Sequence, residues 1–151
     1  MKIGNYELQV PFVTTSSDSL DTVIEFADIK SGKRAIDLGS GDGRVALELT
    51  KHGFEVVGIE HNEELVARAR ARATDLNLSN ISFLNTDFWN YELSDFDVIY
   101  IYGMGSIMGR LEEKLQKEMQ PHARFISNVF RLPHWKVKKT KDNLYLYSKP
   151  Y

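Results

Sequence analysis

The sequence lacks several features that would assign it to particular classes of protein. It has no cysteine among its 151 residues, which excludes disulfide bonds and thiolate metal sites. No apolar run approaches the roughly 20 residues that a membrane-spanning helix needs, and residues 1–7 lack the apolar core of a signal peptide. The formal net charge of −2 gives no general attraction to nucleic acid. We therefore expect a single cytoplasmic domain over residues 1–151, with no membrane span and no nucleic acid partner.

Metal-ligand spacings are also missing. The histidines at positions 52, 61, 122 and 134 form no H-x-x-x-H pattern, so we expect no metal site. His134 could act as a general base. A lone histidine between Pro133 and Trp135 is, however, more often a surface or capping residue.

Three glycines are concentrated in one short stretch of the chain. Gly39, Gly41 and Gly43 lie between a short apolar run and an amphipathic run, where a strand is expected to turn into a helix. They let the backbone turn sharply and approach a ligand closely, and the amides at the start of the helix are expected to face that ligand. The dinucleotide pattern G-x-G-x-x-G would place its third glycine at position 44, where Arg44 stands instead.

Two carboxylates, Asp37 and Asp42, flank this turn and restrict the ligand. A pyrophosphate would meet like charge there, whereas a sulfonium with an ammonium group would meet opposite charge. The stretch resembles motif I of the class I S-adenosylmethionine-dependent methyltransferases, which reads hydrophobic-Asp/Glu-x-Gly-x-Gly-x-Gly. A tight turn without a ligand is the alternative, but such a turn does not require three glycines.

Two further strand ends fit the same cofactor. Glu60 ends the predicted strand 55–60, where an acid can accept both ribose hydroxyls of an adenosine. The resemblance implies that Asp87, after the predicted strand 81–85, receives the adenine amino group while Phe88 covers the ring, although Asp87 also fits a simple turn. The predicted S-adenosyl-L-methionine site comprises Thr15, Asp37, Gly39, Ser40, Gly41, Glu60, His61, Asp87 and Phe88.

Strands and helices alternate along most of the chain, which predicts a parallel sheet with right-handed crossovers. A first helix should run from 16–18 to about 29. Strands at 34–38, 55–60, 81–85, 97–102 and 123–130 alternate with helices at 43–52, 62–76 and 105–119, and residues 135–140 and 144–148 predict an antiparallel hairpin. We expect a three-layer, Rossmann-like α/β sandwich of the class I methyltransferase type, with a mostly parallel seven-stranded sheet. Its parts are an N-terminal segment and helix (1–30), a cofactor-binding core (34–130) and the hairpin (135–148).

The methyl acceptor is expected at the carboxyl ends of the fourth and fifth strands. The fourth strand lacks the Asn/Asp-Pro-Pro-Tyr/Phe motif of methyltransferases that act on planar amines of bases or glutamine, which argues against those substrates. Tyr100 and Tyr102 lie two residues apart and share one face, so either can line an acceptor slot. For Tyr100, a position in the core is the favoured alternative.

A narrower resemblance spans about residues 11–148. The chain is similar to the small protein-lysine methyltransferases of archaea and their mitochondrial relatives, which modify the membrane-ring component of ATP synthase and the adenine nucleotide carrier. Residues 39–44 match the family's Gly-Ser/Cys-Gly-Asp-Gly-Arg loop throughout, and residues 11–15 and 124–130 match its other motifs in part. The resemblance implies methylation of a protein lysine, with Tyr102, Asn128 and Trp135 around the acceptor.

The chain departs from that family where the acceptor should bind. Asn128 and Val129 stand in place of a histidine and an acid. A small-molecule methyltransferase and a non-catalytic cofactor-binding or partner subunit therefore stay open as alternatives.

A local basic stripe is predicted on the C-terminal hairpin, formed by Lys136, Lys138, Lys139 and Lys141. Lysines on an edge strand prevent aggregation through the sheet edge. The same lysines could dock an acidic protein or a nucleic-acid backbone. The sequence does not decide between these two roles.

Overall fold

The computed structural model describes residues 16–150 of the chain. Thr15 and the partial motif at 11–15 lie outside the described residues. The strands are β1 (Arg34–Leu38), β2 (Glu55–Glu60), β3 (Ile81–Asn85), β4 (Val98–Tyr102), β5 (Arg124–Asn128), β6 (Lys139–Lys141) and β7 (Leu144–Ser148). The α-helices are α1 (Ser17–Ala27), α2 (Arg44–Lys51), α3 (Glu63–Asp75) and α4 (Met108–Glu118), and short 3-10 turns occupy 29–31, 88–90 and 105–107.

The seven strands of the described part form one sheet in the order β3-β2-β1-β4-β5-β7-β6. Strands β1 to β5 run parallel, and β7 pairs antiparallel with both β5 and β6. This confirms the predicted sheet with its antiparallel C-terminal hairpin. Because the chain order reverses between β1 and β4, the carboxyl ends of these two strands open a crevice, the usual ligand position in such sheets.

Helices cover both faces of the sheet because successive strand residues point to opposite faces. Ala35 packs in the cluster that α1, α2 and α3 cover, whereas its neighbour Ile36 packs in the cluster beneath α4. Side-chain caps fix two helix starts: Ser16 accepts a hydrogen bond from the Ser19 amide, and Asn62 accepts one from the Leu65 amide. None of the helices in residues 16–150 is long and apolar enough to cross a membrane.

The first strand of the C-terminal hairpin is shorter than predicted: it begins at Lys139 and not at residue 135. Residues 135–138 are not a strand, because Trp135 is buried in the cluster beneath α4 and the Leu132 amide donates to the Tyr147 hydroxyl at 2.9 Å. The turn is correct: Asp142 and Asn143 adopt φ values of 52° and 65°, which these residue types tolerate.

Two other sequence-based boundaries differ from the structure. The fifth strand ends at Asn128 instead of residue 130, because Val129 turns to φ +77°. The predicted helix 62–76 ends at Asp75, and Leu76, which lies past its end, is 45% exposed.

Candidate cofactor and acceptor site

A cavity of about 460 Å³ lies at the carboxyl ends of the central strands. Its wall includes five residues that the sequence predicted for cofactor binding, drawn from the ends of β1, β2 and β3. The complete lining is Gly39, Ile59, Glu60, His61, Thr86, Asp87, Phe88, Trp89, Ser106, Ile107 and Arg110. The structure therefore brings the three predicted strand-end motifs to one cavity.

Glu60 is the buried carboxylate of this wall. Its Oε1 accepts a hydrogen bond from the Gly41 amide, and its Oε2 accepts one from the Asn62 amide, both at 2.9 Å. The ring Nδ1 of His61 lies 3.4 Å from Oε2. Each carboxylate oxygen can accept a second hydrogen bond, so Glu60 can fix the loop and still bind hydroxyl groups of a ligand.

The amides of the glycine loop donate hydrogen bonds within the protein. The Gly39 and Ser40 amides both donate to the Ile59 carbonyl at 2.8 Å, and the Gly43 amide donates to the Ser40 carbonyl at 2.9 Å. These bonds fix the shape of the loop. We infer that the loop lets a ligand come close to the backbone, and that its amides are not the main hydrogen-bond donors to that ligand.

Gly39 and Gly43 are required for two different reasons. Gly39 has φ +79°, and a Cβ added there would meet nothing within 4 Å, so its open side leaves room beside the cavity. Gly43 has φ +91°, and a Cβ there would come within 2.9 Å of the Phe83 ring and 3.0 Å of Ala69. Gly43 therefore permits close packing of the loop against β3 and α3.

Asp37 is the second buried carboxylate at this end of the sheet, with 2% of its surface exposed. Burial, together with the nearby charge of Glu60, raises the pKa of Asp37 to about 8, despite a hydrogen bond from the Ala46 amide that lowers it. The amide at the start of α2 thus faces Asp37. A cationic ligand beside this pair would favour the ionised form of Asp37.

Asp42, the other acid that flanks the turn, pairs with an arginine of α3. Its carboxylate lies 3.0 Å from the Arg72 guanidinium on α3, and Asp42 is not part of the cavity wall among the described residues. The carboxylates of the cavity wall are therefore Glu60 and Asp87, while Asp42 ties the loop to α3.

The wall after β3 is built by a turn that carries two aromatic residues. Asp87 Oδ1 accepts a hydrogen bond from the Trp89 amide at 2.8 Å, and the Phe88 and Trp89 rings lie 4.7 Å apart. The Arg110 guanidinium stacks 4.1 Å from the centre of the Trp89 ring. The turn thus presents one carboxylate and two stacked rings to the cavity.

Lys114 and Glu118 hold this aromatic turn against α4. The Lys114 ammonium donates to the Trp89 carbonyl at 3.1 Å and to both Glu118 oxygens at 2.9 Å. Sequence reasoning missed Trp89, Arg110 and this pair. The i,i+4 spacing of a lysine and an acid was the available signal, but it does not reveal a contact with a carbonyl 25 positions away.

The three residues predicted around the acceptor occupy different environments. Tyr102 ends β4 half-buried, whereas Asn128 is buried and its Nδ2 donates to the Tyr100 hydroxyl at 3.1 Å. Trp135 packs edge-on against Tyr147, with ring centres 6.5 Å apart. In the described part of the chain, none of Tyr102, Asn128 and Trp135 lines the cavity. The core position favoured for Tyr100 is the observed one.

The segment after β5 carries Trp135 near the acceptor end of the sheet, but the side chain of Trp135 belongs to the core. Val129, the exposed residue after Asn128, has a positive φ that is strained for a β-branched side chain. Its amide donates to the Asn143 carbonyl at 2.8 Å, which holds the turn in place.

Glu112 of α4 anchors the segment after β5, and sequence reasoning missed it. Its Oε2 accepts hydrogen bonds from the His134 and Trp135 amides at 2.8 and 2.9 Å, and its Oε1 lies 2.7 Å from His134 Nδ1. Burial alone would raise the pKa of Glu112, but these hydrogen bonds outweigh it and hold the pKa below its ordinary value. His134 is therefore a ring held by a carboxylate, with its other nitrogen toward solvent, since the side chain is 84% exposed.

Comparison with known proteins agrees with the fold and with the motifs. Residues 37–139 match the family model described as the ANTKMT methyltransferase domain. The chain is 34% identical to the human lysine N-methyltransferase of the ATP synthase C-subunit over 127 residues, which is 83% of this chain and 54% of that protein. It is 35% identical to the mouse adenine nucleotide translocase lysine N-methyltransferase over 147 residues, 93% of this chain and 64% of that protein. The chain thus spans little more than half the length of these relatives.

Two other similar proteins match over nearly their whole length. A protein-lysine N-methyltransferase of Saccharolobus islandicus is 28% identical over 89% of this chain and 86% of its own. The crystal structure of an RNA methyltransferase from Salinibacter ruber, in complex with S-adenosyl-L-homocysteine, superposes with a TM-score of 0.87 at 28% identity and covers 91% of this chain and 94% of that one. The match of residues 37–139, together with the identities over most of the chain, shows that this chain belongs to the ANTKMT methyltransferase domain family.

Proposed function

We propose that the chain is an S-adenosyl-L-methionine-dependent methyltransferase that modifies a lysine side chain of a protein. The observation that carries this proposal is the buried carboxylate of Glu60 in the same cavity wall as Gly39, together with the buried carboxyl of Asp37, which interacts electrostatically with Glu60. No Lys or Arg of the described part forms an ion pair with either carboxylate. Such a pair suits a cofactor with a sulfonium and an ammonium group. The names of the relatives support protein lysine as the acceptor.

The residues present fit this cofactor. Glu60 would accept the ribose hydroxyls, Asp87 would accept the adenine amino group, and Phe88 with Trp89 would cover the ring. Asp37 would face the cationic end of the cofactor. The bound cofactor supplies an already activated methyl group. The structure of the Salinibacter ruber protein with S-adenosyl-L-homocysteine supports the same use of the fold.

The protein's own contribution to transfer would be alignment of the acceptor. A lysine must lose a proton before it can attack, and its pKa of about 10.4 in water makes a desolvating wall useful. Tyr102 is proposed to form that wall at the end of β4. Asn128 would act through its hydrogen bond to Tyr100, and Trp135 would fix the segment after β5 from within the core.

Methylation of RNA is a second candidate, and the name of the Salinibacter ruber structure favours it. Two features of this chain favour protein instead: the net charge of −2 and the absence of an Asn/Asp-Pro-Pro-Tyr/Phe motif at the end of β4. Cytoplasmic localisation stays a proposal from the sequence.

The test is to incubate the protein with methyl-labelled S-adenosyl-L-methionine and an extract of the source cells. Label on a protein band that survives nuclease and gives methyl-lysine on hydrolysis is expected. Label that nuclease removes would support RNA, and label in a low-mass fraction would support a small molecule; either would contradict the proposal. Glu60→Gln should abolish labelling, whereas Glu55→Gln, a change to an exposed acid on the same strand, should not.

A further inference from the structure

A strongly basic strip runs along one edge of the molecule. Between positions 131 and 141 the chain has five Lys or Arg residues and no Asp or Glu, although the whole chain carries a net charge of −2. All five side chains are exposed. We define the basic strip as Arg131, Lys136, Lys138, Lys139 and Lys141.

Protection of the sheet edge does not explain the whole strip. The edge strand β6 has only three residues, and Lys139 and Lys141 are its charged members. Lys138 extends this edge, because its amide donates to the Leu146 carbonyl at 2.8 Å. Arg131 and Lys136 lie before the edge strand and do not protect it. Of the strip, Lys141 has an ion pair with Glu25 at 3.3 Å, in which both side chains are more than half exposed, and such exposed pairs neutralise charge only weakly.

The sheet register connects the strip to the acceptor end of the site. Tyr102 lies opposite Asn128, Asn128 opposite Leu144, and Leu144 opposite Lys141. One row across β4, β5, β7 and β6 therefore runs from the proposed acceptor wall to the strip. With a spacing of about 4.8 Å between strands, the row is about 14 Å long.

Arg131 lies between the acceptor end of β5 and the edge strand β6. Its guanidinium lies 4.9 Å from the centre of the Tyr145 ring, and Tyr145 pairs with Ser127 of β5 on one side and with Thr140 of β6 on the other. Positive charge is thus present from the end of β5 to the edge strand. Of the two acids beside the strip, Glu25 pairs with Lys141, whereas Asp142 accepts a hydrogen bond from the neutral hydroxyl of Thr22 and keeps its charge.

We propose that the basic strip binds an acidic polypeptide segment of the methyl acceptor, about four residues away from the lysine that is modified. The distance follows from the 14 Å row, since an extended chain covers about 3.3–3.6 Å per residue. This inference rests on the proposed function in requiring a protein acceptor. Charge complementarity between the strip and an acidic segment would set the choice of acceptor and the rate of encounter.

The test uses the full chain and a fluorescein-labelled peptide with one lysine and a block of glutamates centred about four residues from it. The strip variant combines Lys136→Glu, Lys138→Glu and Lys139→Glu. The control combines Lys30→Glu, Lys33→Glu and Lys117→Glu, which are exposed positions with the same total change in charge. Fluorescence anisotropy measures binding at low and at physiological salt.

We expect the strip variant to lose affinity for the acidic peptide by about tenfold or more at low salt, while the control keeps the wild-type value within about twofold. In methylation assays with the same peptide, the strip variant should raise KM and leave kcat unchanged. Equal affinities of the strip variant and the control would overturn the proposal.

Two competing ligands serve as further probes. A single-stranded RNA oligonucleotide, or phosphatidylcholine vesicles containing phosphatidylserine, would overturn the assignment to a polypeptide if it bound the strip while the acidic peptide did not. Failure of the proposed function is distinguishable from these outcomes. In that case no protein in the extract is labelled, and strip-dependent binding of the acidic peptide is measured independently of any methyl transfer.

Discussion

The two halves of the carboxyl edge of the sheet are built differently. In the cofactor half, Asp37 and Glu60 are buried carboxylates that pair with no Lys or Arg in the described part, and an open cavity adjoins Glu60. In the acceptor half, polar groups satisfy one another: Asn128 binds Tyr100, and Glu112 binds the amides of 134 and 135. The first half therefore carries negative charge that a ligand can meet. The polar groups of the second half bind one another, so that half can contact an acceptor only through the shape of its surface. The following substitutions test this contrast.

Glu60→Ala should have the largest effect. It removes the acceptor for the Gly41 and Asn62 amides, and each amide left without a partner costs about 1–3 kcal/mol. We expect a loss of about 2–6 kcal/mol in the free energy of unfolding and more than a tenfold loss of cofactor affinity. Denaturation and calorimetry measure the two quantities. Unchanged affinity in a folded variant would remove Glu60 from the cofactor site.

Asp37→Asn should change how stability depends on pH. The pKa of Asp37 in the folded protein, about 8, lies above its ordinary value near 3.8. The folded state therefore keeps a proton that the unfolded chain releases, and wild-type stability should fall as pH rises between these values. The slope of this contribution reaches about 1.4 kcal/mol per pH unit, and Asp37→Asn should remove it. Urea denaturation of both proteins across this range gives the comparison; parallel curves would contradict the role of Asp37.

Glu112→Ala should damage only the acceptor half. It leaves the His134 and Trp135 amides without their acceptor, so we expect a loss of about 2–4 kcal/mol in the free energy of unfolding. Cofactor affinity by calorimetry should stay within about twofold. Glu113→Ala, at an exposed position on the same helix, is the control. A large loss of affinity in the Glu112 variant would mean that the two halves are coupled.

Tyr102→Ala should separate binding from turnover. Because Tyr102 lies outside the cavity wall, we expect cofactor affinity to be retained and kcat to fall by about tenfold, as expected when a group that aligns the acceptor is lost. Tyr102→Phe distinguishes the ring from the hydroxyl. Equal losses of affinity and turnover would place Tyr102 with the cofactor or in the fold.

Val129→Gly should give the smallest change, and in the stabilising direction. A β-branched residue at φ +77° is strained by about 1–2 kcal/mol. Glycine removes this strain, but it loses more backbone entropy on folding than valine does, which offsets part of the gain. We expect a gain of up to about 1 kcal/mol in the free energy of unfolding. Val137→Gly, at a half-buried valine without a positive φ, should destabilise the protein. Reduced turnover in a more stable Val129→Gly protein would show that the strain serves the acceptor half.

The sequence was sufficient for the sheet and for five residues of the cavity wall, because strand periodicity and residues at strand ends are local signals. Gly39, Glu60 and Asp87 each follow or end a strand whose position the pattern predicts. The side-chain pairings were not predictable. Asp42 pairs with an arginine 30 positions away, and Glu112 with a histidine 22 positions away. The burial of Trp135 in the core was not predictable either, because nothing in a short segment without regular secondary structure shows which way its ring turns.

The hydrogen bonds inside the glycine loop have a consequence for the kinetics and thermodynamics of binding. Since the amides of Gly39, Ser40, Gly41 and Gly43 already have acceptors, the loop has its final shape before any ligand arrives. Their hydrogen exchange should be slow in the ligand-free protein and little slower on binding. Cofactor binding then costs little conformational entropy at the loop, so its affinity can come largely from contacts already in place.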